Sequence, residues 1–140
     1  MERQLYIVDD DPDHQFLIYQ VLKQLDKSYC VKFFETGQSL YKHLNALAFQ
    51  HRSDQFPGLV IVDLNMPGMN GLQLLSLIKE PSKPDRISLS DIPVVVMSNE
   101  VQKEKIIECY RHGADAYIVK PIENNKIRDT MKAICNFWLY

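Results

Sequence analysis

Short apolar runs that each stop at a polar residue are the feature that most constrains the fold of this chain. Four such runs occupy residues 5–8, 59–62, 94–97 and 117–119. Continuous apolar runs of this length are typical of strands in a parallel sheet, because both faces of such a sheet are buried. The chain is therefore predicted to contain a parallel sheet covered by helices on both faces.

The residues that follow these runs are suited to phosphate and magnesium chemistry. They are Asp9, Asp10 and Asp11 after the first run, Asp63 after the second, Ser98 after the third and Lys120 after the fourth. In open parallel sheets the ligand site lies outside the carboxyl ends of the strands. These carboxylates, the hydroxyl and the ammonium are therefore expected to meet in one crevice.

Helix and strand patterns alternate along the whole chain. Strands are predicted over residues 4–8, 30–34, 59–62, 92–97 and 116–119. The first helix is expected to begin with Asp11 as N-cap and Pro12 as its first residue, and the second with Thr36 as N-cap. Five such units without a break in composition predict one doubly wound α/β domain over residues 1–140, with no output domain.

Two connections and one helix are less regular. Residues 50–55 are predicted as a loop, and residues 81–91 as a connection that is long for a compact α/β unit. The fourth helix is predicted around residues 103–112, ended by Gly113. Its apolar anchors are predicted to be Val101, Ile106, Ile107 and Tyr110.

Composition excludes several classes of function. Sixteen basic and eighteen acidic side chains give a net charge of -2, which is not the basic footprint of a nucleic-acid-binding protein. The three cysteines show no C-x-x-C spacing, so neither an even disulfide framework nor a cysteine zinc site is expected. Without a signal peptide or an apolar stretch of roughly 18 residues, the expected location is the cytoplasm, away from the membrane.

The acidic triplet after the first strand predicts a cation site. Two unit charges about 4 Å apart repel by about 4 kcal/mol at a surface-like dielectric, so clustered carboxylates are stabilised by a cation. A small set of oxygen ligands suits Mg²⁺ with retained waters. The alternative is that Asp11 caps the helix and its two neighbours are solvated. Asp63 at a second strand end favours the metal site.

Asp63 itself can act as a nucleophile towards phosphorus and form an aspartyl phosphate. The charge that develops then needs a divalent cation and a fixed ammonium, which Lys120 supplies, while Ser98 offers a hydroxyl donor. Taken singly, Lys120 is more simply a surface lysine and Ser98 a helix-capping hydroxyl. Their common position at one end of the sheet favours the catalytic interpretation.

Four segments carry a resemblance to a known family: Val-Asp-Asp at residues 8–10, Val-Asp-Leu-Asn-Met-Pro-Gly-Met-Asn-Gly at 62–71, Met-Ser at 97–98 and Val-Lys-Pro at 119–121. In order and spacing they resemble the receiver domain of two-component response regulators, over essentially the whole chain. The resemblance implies a flavodoxin-like, five-stranded parallel sheet of order 2-1-3-4-5 with five helices. It also implies a stand-alone, single-domain protein like the chemotaxis regulators.

By this resemblance, Asp63 is the phosphoacceptor and receives its phosphoryl group from a histidine kinase or a His-containing phosphotransfer protein. Mg²⁺ would be bound directly by Asp10, by a carboxylate oxygen of Asp63 and by the backbone carbonyl of Asn65, and largely through water by Asp9. Lys120 would pair first with Asp63 and then with the phosphoryl group.

The resemblance also implies a conformational switch. Ser98 and Tyr117 match the switch pair, in which the hydroxyl moves towards the phosphoryl group and the aromatic ring turns inward. The readout surface for a downstream protein target would be the face formed by helix 4, strand 5 and helix 5. In the family the peptide bond that corresponds to Lys120–Pro121 is usually cis.

Three further positions correspond to those that modulate loss of the phosphoryl group in the family, namely Asn65, Asn99 and Glu100. Asn65 and Glu100 are compatible with rapid turnover, whereas Asn99 is larger than the usual small residue, so the lifetime stays open. His14, four residues after Asp10, could lie near the rim of the site, but it is interpreted as a solvated residue at the start of the first helix.

Candidates for kinase recognition lie on the first helix, and they are Gln15, Ile18, Tyr19 and Leu22. A monomer is expected, because self-association in the family accompanies an attached effector domain.

Other functions remain open at this stage. A constitutive interaction module would have the fold without being phosphorylated, but the full set of site residues argues against it. A phosphohydrolase with an Asp nucleophile would need an acid where Asn65 stands. The chain is expected to be a signalling domain rather than an enzyme, assisting only its own phosphorylation and dephosphorylation. It is also expected to be a complete domain rather than a fragment of a longer transcriptional regulator.

Overall fold

The computed structural model describes residues 3–25, 29–81 and 83–139. Its strands are β1 (Arg3–Val8), β2 (Tyr29–Phe34), β3 (Leu59–Val62), β4 (Val94–Ser98) and β5 (Ala116–Val119). They form one sheet of order β2-β1-β3-β4-β5, in which every neighbouring pair is parallel. The predicted flavodoxin-like sheet of order 2-1-3-4-5 is confirmed.

The helices are α1 (Pro12–Gln24), α2 (Gly37–Phe49), α3 (Gly71–Ile78), α4 (Lys103–Arg111) and α5 (Asn124–Trp138). The two predicted N-caps are confirmed, because the side chain of Asp11 accepts from the Asp13 amide and that of Thr36 from the Ser39 amide. Within the described ranges, no helix combines the length and apolar character needed to cross a membrane.

The sheet separates two hydrophobic clusters, because successive side chains of a strand point to opposite faces. On one face, Tyr6 and Val8 of β1 pack in a cluster with residues of α2 and α3. On the other face, Leu5 and Ile7 pack in a cluster with residues of α1 and α5, including Met131. This two-sided core is the doubly wound architecture predicted from the sequence.

Strand β4 starts later than predicted. It begins at Val94 rather than at Ile92 and continues to Ser98. Pro93 has no backbone N–H and cannot donate to the ladder, so regular pairing starts after it. Residues 50–55, predicted as a loop, include a short 3₁₀ helix at Ser53–Gln55.

Helix α4 is anchored differently from the prediction. Val101, Ile107 and Tyr110 are exposed, and Cys109 is the buried residue of this helix. The exposed apolar side chains therefore belong to the outer surface of the molecule. Gly113 follows the helix with a positive φ of 103°, as expected for a residue just past a helix end.

The long connection between α3 and β4 is held by charged side chains. The Lys79 ammonium donates to the carbonyl oxygens of Ser90 at 2.9 Å and Ile92 at 2.7 Å, and to the Asp115 carboxylate at 3.0 Å. The buried Arg86 donates to the side-chain oxygen of Asn45 on α2. These contacts attach the connection to the end of α3, to the residue before β5 and to α2. Ser82, part of the predicted break after α3, lies outside the described residues.

The start of α3 packs directly against the chain that leaves β3. The Gly71 amide donates to the Leu64 carbonyl at 2.9 Å, and the Asn70 and Gln73 side chains form a reciprocal capping box. A β-carbon on Gly71 would lie 2.3 Å from the Asp63 carbonyl oxygen and 2.7 Å from the Leu64 α-carbon. Only glycine allows this approach, which fixes the backbone of Asp63.

We expect Gly71→Ala to lower the free energy of unfolding by about 3 kcal/mol, because the added methyl group meets rigid backbone. Gly58→Ala is the matched control, since its β-carbon would meet the end of the Leu139 side chain at 2.8 Å and no backbone atom closer than the Gln4 carbonyl oxygen at 3.7 Å. Urea denaturation of both variants measures the difference. Equal losses for the two variants would contradict a special packing role for Gly71.

Candidate functional site

Three carboxylates meet at the carboxyl ends of β1 and β3. One oxygen from each of Asp9, Asp10 and Asp63 lies within 4.8 Å of the other two. Asp9 and Asp63 are only 2% and 7% exposed, whereas Asp10 is exposed to solvent. The convergence predicted from the ends of the apolar runs is therefore found, and it joins two buried acids to one that solvent reaches.

Lys120 supplies the positive charge for the two buried acids. Its ammonium lies 3.1 Å from Oδ2 of Asp63 and 3.3 Å from Oδ2 of Asp9, and its side chain is 11% exposed. Burial opposes the charged form, but the two carboxylates outweigh it and raise the pKa of Lys120. The lysine therefore stays protonated in this crevice.

The backbone around Lys120 is fixed by the neighbouring strand, since its amide donates to the Ser98 carbonyl at 2.8 Å. The described residues contain no cis peptide bond, so Lys120–Pro121 is trans and the cis bond implied by the family is not found. Because the long stem of the lysine spans the distance to both acids, its ammonium reaches them from the trans backbone.

The two buried acids have opposite pKa shifts. Burial raises the pKa of Asp9, but hydrogen bonds from His14 and the Asp11 amide, together with Lys120, outweigh it and leave the pKa lowered. For Asp63, burial prevails, with repulsion from Asp9, and the pKa is raised despite Lys120 and the Asn65 amide. Asp9 is thus the acid most firmly held as an anion.

The predicted switch residues lie beside this crevice. Ser98 is fully buried at the end of β4, and its hydroxyl oxygen accepts from the Glu100 amide at 3.2 Å. The Tyr117 hydroxyl donates to the Glu100 carbonyl at 2.6 Å, and its half-buried ring packs on the cluster that includes Val96. Among the described residues, neither hydroxyl is hydrogen-bonded to the acids.

The predicted modulating residues differ in their surroundings. Asn65 and Glu100 line one small cavity of about 110 Å³ next to the site. The Glu100 carboxylate accepts from the Gln102 amide at 3.0 Å, and the Asn65 amide donates to Oδ1 of Asp63 at 3.3 Å. Asn99 is exposed.

The interpretation of His14 as a solvated residue is wrong. Its side chain is 12% exposed, and Nδ1 lies 2.5 Å from Oδ2 of Asp9. Its Nε2 is buried and has no hydrogen-bond partner within the described part of the chain. The position of His14 in the sequence could have indicated this contact, because α1 begins directly after the acidic triplet and its first turn therefore lies over the site.

The proposed kinase-recognition residues of α1 also need correction. Ile18 and Leu22 are buried in the core, so they offer no docking surface. The Gln15 side-chain amide donates to the carbonyl oxygens of Asp9 and Phe34. Only Tyr19 of the four is exposed. The spacing of apolar residues in α1 predicted a helix, but it did not show which side of that helix faces the sheet.

Comparison with known families identifies the family of this chain. The family model described as the response regulator receiver domain matches residues 5–132. The chain belongs to this family. Receiver domains are signalling domains that are phosphorylated by kinases and act on downstream targets.

Individual relatives agree with this assignment. The receiver is 32% identical over 143 residues to the two-component response regulator ARR17 of Arabidopsis thaliana, covering 97% of this chain and 86% of that protein. It is similar to the phosphorylated cyanobacterial phytochrome response regulator RcpA, with 26% identity, a TM-score of 0.82 and coverage of 99% and 95%. The Mn²⁺-bound response regulator Rcp1 shares the fold, with 24% identity, a TM-score of 0.76 and coverage of 98% and 94%.

Receiver domains bind a divalent metal ion at an acidic cluster, and the cluster of this receiver fits that chemistry. It offers oxygen ligands alone, from Asp9, Asp10 and Asp63, and the exposure of Asp10 leaves room for metal-bound water. Hard divalent cations prefer such ligands.

Opposite pKa shifts predict opposite effects of neutralising the two acids on stability. Asp63 has a higher pKa in the folded protein than in the unfolded chain, so wild type loses stability as the pH rises through the interval between these two pKa values. Asp63→Asn should therefore be more stable than wild type at pH 7. Asp9 has a lower pKa in the folded protein than in the unfolded chain, so the stability that it contributes is complete above the unfolded-state pKa and is lost as the pH falls through the folded-state pKa. Asp9→Asn should therefore be less stable than wild type at pH 7.

Urea denaturation without divalent ions, from acid to neutral pH, measures both effects. The stability gain of Asp63→Asn should shrink towards acid pH, and so should the loss of Asp9→Asn. Shifts of the same sign at pH 7 would contradict the assignment.

Proposed function

We propose that this receiver accepts a phosphoryl group on Asp63 from a histidine kinase or a His-containing phosphotransfer protein, in a Mg²⁺-dependent reaction. The observation that supports this best is the contact of the Lys120 ammonium with a buried Asp63 carboxylate beside an acidic cluster. A carboxylate oxygen attacks phosphorus, the N–P bond of the phosphohistidine breaks and an acyl phosphate forms. The departing imidazole then takes a proton from solvent.

The ion would be held by this receiver's own oxygen ligands. Asp10, a carboxylate oxygen of Asp63 and the backbone carbonyl of Asn65 would bind it directly, and Asp9 largely through water. Bound there, Mg²⁺ would neutralise charge that develops on the phosphoryl oxygens. The exposure of Asp10 beside two buried acids supports this assignment of direct and water-mediated ligands.

Lys120 and Ser98 would then stabilise the phosphoryl group. The lysine ammonium exchanges its contact with the Asp63 carboxylate for one with a phosphoryl oxygen, and the Ser98 hydroxyl donates to another. In its present contact Ser98 only accepts, from the Glu100 amide, so its hydroxyl hydrogen is free to donate, and a movement of Ser98 towards the phosphoryl group would shift its contact with the residue whose carbonyl oxygen accepts from Tyr117. This local change is the first step of the proposed switch.

The output of the switch would be a changed protein-binding face. Exposed apolar side chains lie on the elements that would form this face, with Tyr110 on α4, Val119 on β5, Ile122 between β5 and α5, and Phe137 on α5. Ile122 is 94% exposed. A downstream protein target, either the next protein of a phosphorelay or a protein that the receiver regulates, would bind this face of a monomeric receiver in the cytoplasm.

Phosphorylation by acetyl phosphate tests the proposal. Intact-protein mass should show the gain of one phosphoryl group with Mg²⁺ present, and no gain either without Mg²⁺ or in Asp63→Asn. Lys120→Met should phosphorylate about 10²-fold more slowly, because it removes a fixed donor to the phosphoryl oxygens.

Lys132→Met is the matched control, since that lysine is exposed on α5. A gain of mass that persists in Asp63→Asn would remove Asp63 as the acceptor. No gain from acetyl phosphate or from any kinase would favour a constitutive interaction module.

The exposed Asn99 would shield the acyl phosphate from water, because it directly follows Ser98. We expect Asn99→Ala to shorten the half-life of the phosphorylated receiver several-fold, measured as decay of the phosphorylated mass after acetyl phosphate is removed. Glu100→Gln provides the comparison, since it changes the charge of the other modulating side chain but leaves position 99 intact. An unchanged decay rate in Asn99→Ala would exclude this role.

A further inference from the structure

The first turn of α1 holds Asp9 through two side chains that the proposed phosphoryl transfer does not use. The Gln15 amide donates to the Asp9 carbonyl oxygen, and so fixes the main chain at that residue. The His14 ring reaches the carboxylate itself, through Nδ1 to Oδ2. The two residues therefore control different parts of Asp9, the backbone and the side-chain rotation.

The acceptor capacity of the Asp9 carboxylate is nearly filled by the protein. Oδ1 accepts from the Asp11 amide at 2.9 Å, and Oδ2 accepts from His14 and, at 3.3 Å, from Lys120. A carboxylate offers about four lone-pair positions, so three donors leave about one for a further partner. This occupancy suits an acid that contacts a cation through a bound water rather than directly.

Among the described residues, the His14 ring makes one hydrogen bond, and its partner is the Asp9 carboxylate. A carboxylate only accepts hydrogen bonds, so Nδ1 is the donor in this pair. The opposite nitrogen, Nε2, is buried without a hydrogen-bond partner in the described residues. A leucine would fill the same space without burying an unpaired nitrogen, so packing alone does not account for a histidine here.

We propose that His14 is a positioning residue that fixes the rotation of the Asp9 carboxylate and so arranges the acidic cluster for a divalent cation. This inference rests on the proposed function, because it assumes that the cluster binds the ion. Without His14, Oδ2 of Asp9 would be left to Lys120, and the carboxylate would turn towards the lysine and away from the cation. Groups that orient metal ligands in this way typically change metal affinity by about 10–100-fold.

Mn²⁺ binding, followed by electron paramagnetic resonance of the free ion, tests the inference without requiring phosphorylation. His14→Leu should weaken the Kd for Mn²⁺ by about tenfold. His14→Asn should stay close to wild type, because the asparagine amide nitrogen occupies the same position along the side chain as Nδ1. Mg²⁺ added as a competitor then measures the same effect for that ion.

Controls separate this inference from the proposed function. His112→Leu removes an exposed imidazole at the end of α4 and should leave the Kd unchanged. Urea denaturation without metal shows whether each variant is folded, and Asp63→Asn shows whether the acidic cluster is the ion site.

Two results would overturn the role of His14 and leave the proposed function intact. One is a wild-type Kd in His14→Leu, provided that Asp63→Asn binds more weakly. The other is equal weakening in His14→Leu and His14→Asn, which would mean that donation from the Nδ1 position is not what matters. If wild type does not bind Mn²⁺, or if Asp63→Asn binds as wild type does, the acidic cluster is not the ion site and both proposals fail.

Discussion

The ammonium of Lys120 between two buried carboxylates is the interaction on which the site depends. It lies 3.1 Å from Asp63 and 3.3 Å from Asp9, in a crevice where two adjacent anions alone would repel by several kcal/mol. The sheet order explains why a lysine is needed. β5 is separated from β3 by β4, a distance of about 10 Å at the usual strand spacing, and a long flexible stem can cross it. Ser98, at the end of the intervening strand, lies on that path.

The two acids at the strand ends have different surroundings, and the difference suits different tasks. Asp9 is hydrogen-bonded by the Asp11 amide and by His14 in addition to Lys120, so it is held as an oriented anion. Among the described residues, Asp63 receives only the lysine and a long bond from the Asn65 amide. Its oxygens are therefore less engaged, and the close packing of Gly71 holds its backbone in place. These surroundings suit the proposed roles, in which Asp9 organises the crevice and Asp63 reacts.

Most of the fold and the centre of the site could be predicted because they depend on local patterns. Apolar runs predicted the strands, and the polar residues at their ends predicted the meeting of Asp9, Asp63 and Lys120. The pattern failed where burial depends on how a helix sits on the sheet. His14 carries no periodic signal and is buried only because α1 begins over the acidic triplet. The anchors of α4 were misassigned for the same reason, with Cys109 buried instead of the exposed Tyr110.

The hydrogen bond from Tyr117 ends on the main chain of residue 100 and not on its side chain. Every amino acid provides that carbonyl oxygen, so the link between β5 and the segment after β4 does not depend on which residue stands there. The Glu100 side chain instead lines the cavity that it shares with Asn65. A substitution at position 100 would therefore change the lining of this cavity and leave the hydrogen bond between β5 and the segment after β4 in place.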